Sequence, residues 1–82
     1  MIYKILIKLV SDIFEAEPAE LGMDTSFYED LSADSLDMYE LILACEEEFE
    51  AAFTQDAAAL EIDTIGDAVR YIAGMVGDRF GE

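Results

Sequence analysis

Residues 29–50 read EDLSADSLDMYELILACEEEFE. From Ser35 onward the apolar positions recur at helical rather than alternating spacing. At roughly 100° per residue, Met38, Leu41, Ile42, Cys45 and Phe49 fall on one side as a core stripe. Leu36, Tyr39 and Leu43 fall on the side that carries Ser35, flanked by Glu40, Glu46 and Glu47. The spacing predicts a helix from about Ser35 to Phe49. One helix of a small bundle seldom buries both sides. Apolar residues rimmed by charge therefore read as a docking surface. The competing reading is that the preceding loop folds over them.

Upstream, Ile2, Ile5, Leu6, Leu9 and Ile13 recur at helical spacing, with Tyr3, Ile7, Val10 and Phe14 on a neighbouring stripe. Lys4, Lys8, Ser11, Asp12 and Glu15 take the remaining arc, so this is an amphipathic helix. Residues 16–34 carry Pro18, Gly22 and several Asp, Ser and Thr. They predict a long loop with a short turn near Pro18 to Leu21. Leu21, Met23, Phe27 and Leu31 are expected to pin that loop to the core. Downstream, FTQDAAALEI reads as a link and a short helix around Asp56 to Glu61. A last helix begins near Thr64, where Thr64 and Asp67 fit a capping box. Ile65, Val69, Ile72 and Val76 form its buried face. The expected fold is all-α: a small bundle of three main helices plus one short helix, with a long loop between helices 1 and 2, in a single domain over residues 1–82.

The chain has 82 residues and a net charge of −16, from 20 acids against Lys4, Lys8, Arg70 and Arg79. Such a surface disfavours nucleic acid and anionic lipid, which need Lys and Arg. It favours partners with basic patches and, through self-repulsion, a monomer. The apolar fraction of 54% suffices for a packed core. The opening MIYKILIKLV is interrupted by lysines and is expected to be neither signal peptide nor membrane span. Cys45 is the sole cysteine, which suits a reducing cytoplasm. With no His and no cysteine cluster, the usual zinc ligands and general base are missing. DTSFYEDLSAD lacks the ligand register of a calcium loop. No specific metal site is expected, only diffuse binding of divalent cations.

A Ser at a helix start is most often a cap. A catalytic Ser35 lacks a His base and a G-x-S-x-G elbow. The remaining role is that of a serine modified by another protein. The helix N-terminus favours an added phosphate. Asp34 and Asp37 oppose one and make better sense as contacts for a basic partner.

DLSADSLDMYELILACEEEFE resembles the central motif of acyl carrier proteins, in which D-S-L presents the modified serine. TSFYEDL is similar to the family's loop leading into that motif, and DTIGDAVRYI to its final helix. The resemblance implies that Ser35 receives 4'-phosphopantetheine from coenzyme A through a phosphopantetheinyl transferase using Mg2+. The arm's thiol would hold acyl groups as thioesters. Acyl-transferring and condensing enzymes with basic patches would supply catalysis, so the chain itself is not an enzyme. Asp34, Asp37, Glu40, Glu46 and Glu47 match the family's acidic partner contacts. Leu36 and Leu43 match its apolar ones, with Tyr39 between them. The family's interior acyl site would fall near Leu41, Cys45, Leu60 and Ile62, although for Cys45 an ordinary small core residue is the favoured reading.

Two departures stand out. Ser32 occupies the usual Gly position before A-D-S, so the loop is expected to differ there. AAFTQDAAALEI lacks the family's Pro and dense acids, leaving Asp56 and Glu61 for contacts through that segment. The pathway implied is fatty acid or polyketide-type synthesis. Alternatives are a peptidyl or aminoacyl carrier, and an unmodified acidic docking module.

Overall fold

The computed structural model describes residues 2–53, 59 and 61–76. Three α-helices are present: α1 (Ile2–Phe14), α2 (Ser35–Phe49) and α3 (Ile65–Val76), with a 3-10 turn at Pro18–Glu20. Among the described residues the β-structure is limited to one isolated antiparallel bridge, Ser26 with Thr64. The all-α bundle with its long loop is therefore the observed fold. The short helix expected around Asp56 to Glu61 lies largely outside the described residues; of that span Ala59 is buried and Glu61 exposed.

α1 packs against both other helices, and α2 and α3 approach each other less closely than either approaches α1. This centres α1's buried stripe on Ile2, Leu6 and Val10, one residue per turn and all fully buried. Ile5, Leu9 and Ile13 are only partly buried at its margin. Val10 thus belongs to the centre and not to the neighbouring stripe, because the face wraps between two partners.

α1 and α2 end alike. Glu15 and Glu50 both adopt left-handed backbone, φ 53. The next N–H then reaches back five residues, Ala16 to the Ser11 carbonyl at 3.2 Å and Ala51 to the Glu46 carbonyl at 3.3 Å. This is the closure that glycine normally supplies. Here glutamates supply it, at the cost of a Cβ crowding the following carbonyl.

The loop over residues 16–34 is packed, as its apolar residues predict. Leu21 and Phe27 are buried and Leu31 partly so. The Phe27 ring lies 6.1 Å from that of Phe14. Met23 is the exception, 41% exposed. Its carbonyl, not its side chain, is the anchor, accepting the Gly66 N–H at 2.8 Å. Thr25 O accepts from Ile65 N at 3.0 Å, and Phe27 N donates to Asp63 O at 2.8 Å. The loop is thus stapled to the start of α3. Ser26, buried there, donates through Oγ to the Asp63 carboxylate at 2.8 Å. At α3 the expected capping box is present: Asp67 N donates to Thr64 Oγ1, and Thr64 N to the Asp67 carboxylate, both at 3.0 Å.

Candidate functional site

The loop delivers the chain to α2 through a sharp reversal. Ser32 is left-handed, φ 54, and Ala33 N donates to Phe27 O at 2.9 Å. Serine here holds a backbone region that favours glycine, so the departure at Ser32 carries strain. Asp34 follows in extended conformation as the cap of α2. Its Oδ1 accepts the Asp37 N–H at 2.8 Å, and Asp37 Oδ2 accepts the Asp34 N–H at 3.2 Å. This reciprocal pair satisfies two of the helix's orphan donors.

Ser35 is therefore not the cap. It is the first helical residue, exposed, and among the described residues nothing holds its hydroxyl. The backbone N–H groups of Ser35 and Leu36 are likewise without a partner among the described residues. The chain contains no His, the most frequent general base at a serine hydroxyl.

Along the same side of α2, Leu36 is 65% exposed, Tyr39 53% and Leu43 41%. The loop does not cover them. Asp34, Glu40 and Glu47 are exposed and Asp37 is half-buried. These residues form one acidic and apolar surface beside Ser35. Glu46 differs from these in burial and bonding. It is half-buried, and its Oε2 accepts the Phe53 backbone N–H at 2.6 Å.

The opposite side of α2 meets the interior. Leu41, Cys45 and Ile62 line one cavity, with Met38, Ile42, Phe53 and Tyr71 among its other walls. Leu60 lies outside the described residues. The cavity measures about 20 Å³, room for about one water. Burial, with the charge of Glu48 adding to it, pushes the Cys45 thiol up to about 12. Sequence reasoning did not single out Phe53 or Tyr71. A lone Phe in an Ala-rich link just past a helix end was the available signal for the first. Among the described residues no cluster of His, Cys, Asp and Glu could hold a metal ion. No described helix is long and apolar enough to cross a membrane.

Residues 4–72 match the phosphopantetheine attachment site family. The chain is 44% identical over 70 residues to an acyl carrier protein of Phenylobacterium zucineum, covering 85% of this chain and 87% of that one. It is 46% identical over 65 residues to an acyl carrier protein of Caulobacter vibrioides, covering 79% and 82%. In fold it matches a putative acyl carrier protein from Mycobacterium tuberculosis, with TM-score 0.82 at 24% identity over 90% of this chain and 97% of that one. Such proteins hold 4'-phosphopantetheine covalently, and they carry rather than catalyse. By sequence, this chain belongs to the phosphopantetheine attachment family, among the acyl carrier proteins.

Proposed function

We propose that Ser35 is the attachment point of the prosthetic group. The chain then delivers acyl groups to partner enzymes of fatty acid or polyketide-type biosynthesis in the cytoplasm. The observation that carries this reading is the exposed Ser35 hydroxyl, released from capping by Asp34. The arm supplies a terminal thiol on which acyl groups ride as thioesters.

The chain's own residues fit such a group. Ser35 Oγ faces solvent, and the free N–H groups of Ser35 and Leu36 at the helix start suit a phosphodiester. Leu36, Tyr39 and Leu43 offer apolar contact to a visiting enzyme. Asp34, Asp37, Glu40 and Glu47 offer charge to its Lys and Arg, which speeds encounter and fixes orientation. Leu41, Cys45 and Ile62, on the interior side, are the shelter for cargo, with Leu60 assigned there by resemblance.

Incubation with coenzyme A, Mg2+ and a permissive phosphopantetheinyl transferase tests this by intact mass. One added arm is expected in the wild type and none in Ser35→Ala. An unchanged wild-type mass favours the docking-module reading. An arm retained in Ser35→Ala moves the site elsewhere.

A further inference from the structure

Glu46 differs from the other acids of α2. Its carboxylate takes the Phe53 N–H across the left-handed turn at Glu50. Its carbonyl takes the N–H groups of Glu50 and Ala51. Both polar ends of one residue therefore hold the chain leaving α2. A charged oxygen is a stronger acceptor for a backbone donor than a neutral one. The residue held this way is almost fully buried: Phe53 is 2% exposed. Its ring meets Tyr71 edge-on, with centroids 5.5 Å apart.

Phe53 and Tyr71 both line the interior cavity, together with Cys45. Along α2 the lining runs from Met38 in the first turn to Cys45 in the third. Ser35 stands at the start of that helix and Glu46 near its end, about 16 Å apart along the axis at 1.5 Å per residue. The aromatic pair thus lies at the end of the cavity remote from Ser35. A cavity of about 20 Å³ admits an alkyl chain only if its walls part. α2 and α3, which approach each other less closely than either approaches α1, supply most of its described walls. A Phe53 tied by its backbone to Glu46 moves only as α2 moves and cannot swing out of the cavity by itself.

We propose that Glu46 is a positioning residue that latches Phe53 against Tyr71, and that this aromatic pair limits the length of cargo the interior accepts. The inference rests on the carrier reading above. Glu46 on this account serves the interior and not the docking surface.

The wild-type chain, Phe53→Leu, Phe53→Ala, Glu46→Ala and Glu46→Gln are loaded with arms bearing a graded series of straight acyl groups. The melting temperature of each is compared with its own arm-only form. The wild type is expected to gain most with a short or medium chain. The optimum moves to longer chains, by at least one member of the series, in Phe53→Leu and Glu46→Ala. Glu46→Gln, whose amide oxygen still accepts the N–H, restores much of the wild-type profile. Phe53→Leu keeps the test open if Phe53→Ala does not fold. An optimum unmoved in both Phe53→Leu and Glu46→Ala overturns the length limit. The latch is read without any arm, by hydrogen exchange of the Phe53 amide in the unmodified protein. Exchange accelerated at least about tenfold in Glu46→Ala, and less in Glu46→Gln, supports it; equal exchange in all three overturns it. A wild-type chain that accepts no arm sinks the carrier reading and the cargo limit together, while amide exchange still judges the latch.

Discussion

Asp34 and Asp37 cap each other across the first turn of α2, each carboxylate accepting the other residue's backbone N–H, at 2.8 and 3.2 Å. Ser35 sits between them with its hydroxyl in solvent. The division of labour gives a direct contrast. Asp34→Ala removes a cap and should cost about 1 kcal/mol of folding stability. Ser35→Ala removes an exposed hydroxyl and should stay within about 0.5 kcal/mol of the wild type. Denaturant midpoints at a common slope measure both. Equal losses would show that the serine shares the capping role.

Ser32 holds φ 54, a region in which an L side chain crowds its own backbone by roughly 1–2 kcal/mol. Glycine relieves that crowding but loses more chain entropy on folding. The net expectation for Ser32→Gly is a stabilisation of about 0.5–1 kcal/mol. The route into α2 is unchanged by it, because Ala33 N still bonds Phe27 O. A loss of stability would mean that the Ser32 side chain makes a contribution its exposed position does not suggest.

The Cys45 thiol stands near 12, raised from 9.0 by burial first and by Glu48 second. Thiolate is the reactive form, so alkylation at neutral pH should proceed only as fast as the protein opens. The sign of the pH effect follows. Above about pH 9 the unfolded thiol loses its proton while the folded one keeps it. The unfolded state then binds fewer protons, and stability falls as pH rises toward the folded value. Between about pH 8 and about pH 10.5 this amounts to on the order of 1–2 kcal/mol. Cys45→Ala should show a shallower alkaline decline, read from slopes so that its own packing loss cancels. Identical slopes would show the thiol ionising freely in the fold.

The helices were legible because their signals are local. Apolar spacing, the Thr64–Asp67 box and the stretch from Ser35 to Phe49 depend on neighbours three or four residues apart. The exposed stripe at Leu36, Tyr39 and Leu43 was legible for the same reason, since one face cannot be both core and surplus. What escaped depends on contacts between segments distant in sequence. Glu46 reads as one more surface acid until Phe53 folds back over the end of α2 to meet it. Met23 reads as an apolar anchor, whereas its carbonyl does the anchoring. Residue type alone does not say which of Asp34 and Ser35 caps α2, because both favour a helix start.

The loop and α3 meet at Gly66, and the fit there is tight enough to be tested by a single methyl group. A Cβ on Gly66 would lie 2.8 Å from the Met23 carbonyl oxygen, the same atom that accepts the Gly66 N–H at 2.8 Å. The clash is with backbone, so no side chain can swing away, and the loop must lift from the helix start. Gly66→Ala should therefore cost about 1–3 kcal/mol, as overpacking does. Hydrogen exchange should quicken at the amides of Phe27, Ile65 and position 66, whose bonds form the staple. Gly74 supplies the control: it lies in the same helix, exposed, and a Cβ there meets nothing within 4 Å. Gly74→Ala should instead stabilise by about 0.5–1 kcal/mol through helix propensity alone. Opposite signs for two Gly→Ala changes in one helix separate a docking constraint from a propensity effect. If both stabilise, the loop is free to ride over the start of α3, and the Met23–Gly66 contact is no docking constraint.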